Sequence, residues 1–212
     1  MRAKILAEFL GTAFLVMIVI GSGIMGQNLF PGQNGLALLA NSLATGIGLF
    51  VLIQCLGGIS GAHFNPVVSL IEVLWGRLSK KEATCYFLAQ MAGAYFGIIL
   101  THLMFNQLVF QVSTVERSGH HLWLSEIIAT FGLIGVVALA GRKHVEFAPM
   151  SVAAYITSAY WFTSSTSFAN PAVTFGRVFT NSFGGMSPEH LLPFVLAQIT
   201  GGLLGWLILR KL

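Results

Sequence analysis

Two Asn-Pro dipeptides, Asn65-Pro66 and Asn170-Pro171, carry the most chemistry in this chain. The Asn oxygen accepts a hydrogen bond from the unpaired N–H groups of a first helical turn, and Pro at the next position has no N–H to leave unpaired, so each pair starts a helix. The amide nitrogen remains free to donate to an oxygen. That chemistry holds and turns a polar molecule without breaking a bond. Two carboxylates, Glu8 and Glu126, stand in apolar surroundings, in Glu8-Phe-Leu-Gly11-Thr12 and Glu126-Ile-Ile-Ala129-Thr130. Such a group relays protons or accepts backbone N–H groups that lack partners; its matched placement favours the supporting role. His63 precedes the first Asn-Pro pair and is assigned either to the wall of a passage or to fixing the loop. Gly58-Ile59-Ser60-Gly61 reads as a serine-nucleophile motif, but that chemistry needs a histidine within reach. His102, His120, His121, His144 and His190 all fall at or near the ends of apolar stretches. Cys55 and Cys85 form no Cys/His cluster. No catalytic residue, no metal site and no cofactor is expected.

The elements that position these residues are set by composition. Of 212 residues, 55% are hydrophobic and only 8% charged, against about 25% charged in soluble domains, and the mean hydropathy is +0.80. An all-α membrane protein follows. Six stretches approach the roughly 20 apolar residues that cross the hydrocarbon layer: near Ile5 to Met25, Leu36 to Leu56, Ala83 to Phe105, Leu122 to Ala140, Ala148 to Phe162 and Leu191 to Leu209. The first is too long for a signal-peptide core and carries Glu8, so it reads as a retained helix. With both termini cytoplasmic, Arg2, Lys4, Arg77, Lys80, Lys81, Arg142, Lys143, Arg210 and Lys211 fall inside, and only Arg117 and Arg177 outside. This asymmetry supports six spans and accounts for the net charge of +4. No cluster of basic residues is large enough for nucleic acid.

Self-similarity divides the chain. Gln90-Met-Ala-Gly93-Ala-Tyr-Phe-Gly97 matches Gln198-Ile-Thr-Gly201-Gly-Leu-Leu-Gly205, and the order Glu, Asn-Pro, Gln occurs twice. The reading is one channel domain over residues 1–212, with a first repeat at about 1–106, a loop at 107–121 and a second repeat at about 122–212. Three spans per repeat is an odd number, so the repeats are inverted in the bilayer, as in transporters and channels. The apolar run after Asn65 ends within about ten residues, too short to span, and the run from Asn170 through Phe175 and Phe179 reads the same way. Both are half-helices. The preceding segments, Gly57 to Ala62 and Thr163 to Ser167, read as irregular backbone lining a water-filled passage. Two N-termini then meet near the midplane, and their positive ends repel cations, protons included.

With Ser60-Gly-Ala-His63-Phe64-Asn65-Pro66-Val67, Asn170-Pro171-Ala172, Glu8, Glu126 and the Gln-x-x-Gly-x-x-x-Gly pair in hand, the chain resembles the major intrinsic protein family over essentially its whole length. The resemblance implies an aquaporin-like inverted repeat of six transmembrane helices plus two half-helices. It further implies a homotetramer in membrane lipid, one pore per subunit, and passive movement of small neutral solutes. Two departures stand out. Val67 replaces the usual Ala, and Val173 stands where the family carries an arginine that narrows the outer constriction. Arg177 lies one turn further along the half-helix, with no Asp, Glu or His partner nearby in sequence. Matched by distance, the other constriction positions are Thr45, Ser158 and Ser167, all small. Together they imply a wide pore similar to the bacterial arsenic-resistance branch, the AqpS type, in the inner membrane. The implied solutes are water, polyols such as glycerol, arsenite and methylated arsenicals. A water-selective aquaporin is the alternative, and a gradient-coupled secondary transporter a weaker one.

Overall fold

The computed structural model describes residues 1–140 and 145–210. Arg142, Lys143, His144 and Lys211, which entered the readings above, lie outside the described residues. Among the described residues, eight α-helices run in chain order: α1 (Arg2–Leu29), α2 (Asn34–Ser60), α3 (Pro66–Leu74), α4 (Lys80–Met104), α5 (His120–Ala140), α6 (Ala148–Phe162), α7 (Pro171–Arg177) and α8 (Leu191–Leu209). Short 3-10 turns at Val145–Phe147 and Pro188–His190 lead into α6 and α8. Among the described residues there is no strand. The fold is the all-helical one expected from the six apolar stretches and two short ones.

Five helices, α1, α2, α4, α5 and α8 with its leading turn, are long and apolar enough to cross a membrane. The sixth, α6, has 15 residues, a rise of about 22 Å, and the 3-10 turn before it extends the segment.

Helix α1 packs on α2 and α4, and α5 packs on α6 and α8, so the two repeats assemble alike. Small residues set these approaches. A Cβ on Gly97 would lie 2.5 Å from the Ala13 carbonyl oxygen, and one on Gly201 would strike the Ile127 carbonyl oxygen. Apolar side chains such as Leu6, Leu10, Phe14, Leu43 and Ile47 remain exposed around the outside, where lipid and not water is their natural solvent.

Two local expectations change. Gly57 to Ser60 is helical, because α2 continues to Ser60 and ends on Gly61, whose φ of 88° gives the left-handed cap and whose N–H reaches the Gly57 carbonyl. Continuing the helix satisfies backbone groups that an extended run would leave open at membrane depth. The second half-helix stops at Arg177 rather than Phe179.

Candidate functional site

The non-helical stretches ahead of α3 and α7 share one backbone solution. Ala62 and Phe64 have φ of 51° and 49°, and Ser167 and Ala169 have 50° and 47°, so the left-handed residues fall at the same offsets before each Asn. Each costs roughly 1–3 kcal/mol unless its surroundings impose it. The two carboxylates impose it. Glu8 accepts hydrogen bonds from the backbone N–H of His63 (2.9 Å) and Phe64 (2.7 Å) and from the Ser60 hydroxyl (2.6 Å). Glu126 accepts from the backbone N–H of Phe168 (2.9 Å) and Ala169 (2.8 Å). Gln90 donates to Glu8 at 2.8 Å and to Ser69 at 3.1 Å; Gln198 donates to Glu126 at 2.7 Å and to Thr174 at 2.8 Å. Each Gln therefore ties a buried carboxylate to the first turn of its half-helix. Sequence reading used the glutamines only as landmarks of the repeat; their identical offsets were the available signal of this bracing.

Asn65 caps α3 by accepting from the Val67 N–H, and Asn170 caps α7 by accepting from the Ala172 and Val173 N–H groups. The cap oxygens are thus occupied and the amide nitrogens point away from them. Asn65 Nδ2 donates to the Ala169 carbonyl and Asn170 Nδ2 to the Phe64 carbonyl, each at 2.8 Å. These crossed bonds hold the two half-helix N-termini together. An amide nitrogen has two hydrogens, so one per Asn is left over for a molecule in front of it. Pro66, Val67, Pro171 and Ala172 stand behind the asparagines. The extra bulk of Val67 lies against Gly202, where a Cβ would strike it.

A cavity of about 280 Å³ runs past both asparagines, from Glu72 near one end to Arg177 near the other. Both loops contribute to its wall, through Gly61 to His63 and Ser167 to Ala169. His63 Nδ1 lies 2.9 Å from the Ser69 hydroxyl, and its ring stands edge-on to Tyr86. Thr45, Ser167 and Val173 line the cavity. Ser158 does not. It lies on an exposed face of α6 and donates back to the Ala154 carbonyl. Spacing of four residues puts Val152, Ile156 and Tyr160 on the cavity side instead, and two residues from Ile156 is about 200° around a helix. Tyr160 therefore takes the place expected of Ser158, its hydroxyl 3.2 Å from that of Thr45. The spacing was visible in the sequence, but matching by distance from the Asn pairs alone overrode it.

Ser60 is committed to Glu8 and to the Ala62 N–H at 3.0 Å, which removes the serine-nucleophile reading. Near one rim, in the segment joining α4 to α5, Arg117 donates to the Gly185 and Phe183 carbonyls. Burial, and then the nearby Arg177, pull it down to about 10. Glu116, Glu189 and His190 have ligand-type atoms within 4.8 Å of one another; the two carboxylates are exposed, and a 2.8 Å contact between His190 Nε2 and Glu116 accounts for their proximity.

Crossed, asparagine-capped half-helices facing one lumen inside an all-helical membrane bundle define an aquaporin-type channel. The chain belongs to the major intrinsic protein family, whose model matches residues 1–164. It is 48% identical over 209 residues to Aquaglyceroporin AqpS of Rhizobium meliloti (strain 1021), covering 99% of this chain and 89% of that one. It is 29% identical to Aquaporin Z of Rhodopseudomonas palustris (strain ATCC BAA-98 / CGA009), covering 99% and 92%. The fold matches the crystal structure of the aquaglyceroporin from Plasmodium falciparum with a TM-score of 0.74 at 21% identity, covering 100% of this chain and 96% of that one. The chain is accordingly a multi-pass membrane channel for small solutes and not an enzyme.

Proposed function

We propose that this channel passes small uncharged solutes larger than water: polyols, uncharged metalloid hydroxides such as arsenite, and methylated arsenicals, with water alongside them. The observation that carries the reading is Val173. It is buried, follows the second Asn-Pro pair directly and lines the lumen, at the place where the family resemblance puts an arginine. Ser167, which lines the same lumen, is small. The similarity to a protein named as an aquaglyceroporin supports the same reading. A lumen with Ile156, Val173 and Phe168 beside Thr45 and Tyr160 offers both apolar and hydrogen-bonding surface, which suits solutes that have both.

Both asparagines donate to one passing oxygen at the midplane, which turns it and interrupts a chain of waters that would relay protons. The termini are cytoplasmic, in a bacterial inner membrane, and four chains assemble, each with its own pore. A water-selective pore is the second reading, favoured by Tyr160, which is far larger than the serine expected there.

Stopped-flow swelling of proteoliposomes in water, glycerol and arsenite separates the two. Fluxes of glycerol and arsenite well above those of protein-free vesicles are expected, without saturation or coupling to an ion gradient; water flux alone overturns the wide-pore reading. Val173→Arg should reduce glycerol flux more than water flux, and equal loss of both counts against a constriction at this turn.

A further inference from the structure

Resting on the channel reading, we propose that Arg177 is the cation-repelling and solute-binding group of this pore, displaced by one helical turn from the place where Val173 stands.

Arg177 lines the same cavity as Val173, Ser167 and Thr45, and it is 3% exposed. Side chains on a helix lean toward its N-terminus and cover the turn before their own Cα. The N-terminus of α7 faces the centre of the bundle, so a long side chain at 177 reaches back over the turn that carries Val173. The guanidinium has five N–H donors. One nitrogen, Nη1, donates to the Gly184 carbonyl at 3.0 Å, while the buried Nε has no partner. No carboxylate among the described residues forms an ion pair with it. Its Cζ lies 3.8 Å from the centre of the Phe168 ring, and Arg117 sits on Phe168 as well, at 5.1 Å. The carbonyls of Phe183, Gly184 and Gly185 accept from one arginine or the other. Two cations about one aromatic ring are thus held by three successive carbonyls, and the Arg177 guanidinium lies beside the Tyr160 hydroxyl at the cavity wall, with its Nε donor unpaired.

A buried guanidinium with an unmatched donor is costly unless something oxygen-bearing visits it. Water or the hydroxyl of a permeating solute fills that role. The charge at the same point, which has no carboxylate in direct contact among the described residues, opposes entry of protons and metal cations, so exclusion does not rest on the half-helix ends alone. The other repeat places Glu72 at the equivalent position, seven residues after its Asn. Glu72 lines the opposite end of the cavity but is paired with Arg77 at 3.3 Å. The charge barrier therefore belongs to the Arg177 end.

The test compares the wild type with Arg177→Gln and Arg177→Lys in proteoliposomes at equal protein density, reading proton leak with an internal pH dye and water flux by light scattering. Gln keeps an amide donor but has no charge; Lys keeps the charge. At an effective dielectric constant near 20, removing one nearby unit charge should raise proton leak at least about tenfold in Arg177→Gln. Arg177→Lys should stay near the wild type. Leak in Arg177→Gln equal to the wild type, with water flux intact, overturns the proposal and leaves Arg177 as a pin for residues 183–185. Wild-type vesicles that pass no neutral solute would instead overturn the channel reading itself. Should the Gln variant not assemble, phenylglyoxal labelling of the wild type decides. Modification of Arg177 that glycerol suppresses supports a lumen-facing donor, and an unmodified Arg177 beside a modified Arg117 rejects it.

Discussion

Glu126 is tied to the loop it supports: its two oxygens accept from two backbone N–H groups and one side-chain amide. Removing it strands the Phe168 and Ala169 N–H groups and leaves two left-handed residues without their restraint. An unsatisfied buried donor costs about 1–3 kcal/mol, so Glu126→Ala should destabilise the folded protein by roughly 3 kcal/mol or more. Glu126→Gln, which keeps an acceptor oxygen, should cost less. Thermal unfolding in detergent orders the two, and an Ala variant as stable as the Gln variant would mean the loop holds itself. The matched placement of both carboxylates was legible because each stood at the same offset in its repeat. Gln90 and Gln198 were equally regular, yet their bonds could not be read, since a side-chain amide points wherever tertiary packing sends it. Tyr160 was hidden for a related reason. Which face of α6 meets the lumen depends on how α6 packs against α2, and a count from the Asn pairs holds no rotation angle.

At the scale of elements, the two half-helices were legible because their start signal is chemical and local: a cap, a proline, then an apolar run too short to span. Their ends were less so, because α7 stops at Arg177 with Gly176 inside its last turn and no glycine or proline just after it. Gly57 and Gly58 misled for the opposite reason. Glycine weakens a helix by only about 1 kcal/mol, which is less than the cost of open backbone groups inside a membrane. The packing glycines have a different standing, since what they contact is backbone. A side chain at Gly201 would meet the Ile127 carbonyl of α5, and a helix carbonyl cannot swing aside as a side chain can. Gly201→Leu should push α8 away from α5 and with it Gln198 away from Glu126. The expected outcome is little or no folded protein in the membrane fraction after expression. Folded, conducting protein at wild-type yield would show that the close approach of α5 and α8 is dispensable. Gly57→Ala, with nothing within 4 Å of the added carbon, is the matched control and should be tolerated.

At the scale of the whole molecule, both half-helices and both loops of one chain line a single cavity. Inversion of the repeats makes this possible, because each half supplies one half-helix and neither alone could satisfy the other's Asn amide. Chains assembled as four would therefore share surfaces but not lumens. Side chains exposed on α1 and α2, such as Phe14 and Ile47, would meet lipid or neighbouring chains, and no lumen residue depends on them. Conduction should then be a property of each chain separately. Val173→Trp fills the lumen with an indole while leaving the outer faces unchanged, so it should assemble with the wild type and block only its own pore. Coexpressed at defined ratios, the two forms should give glycerol flux that falls in direct proportion to the wild-type fraction. A pore built between chains, or a gate shared among them, would make flux fall far faster, approaching the fourth power of that fraction in a tetramer. A straight line would place the glycerol pathway inside the single chain.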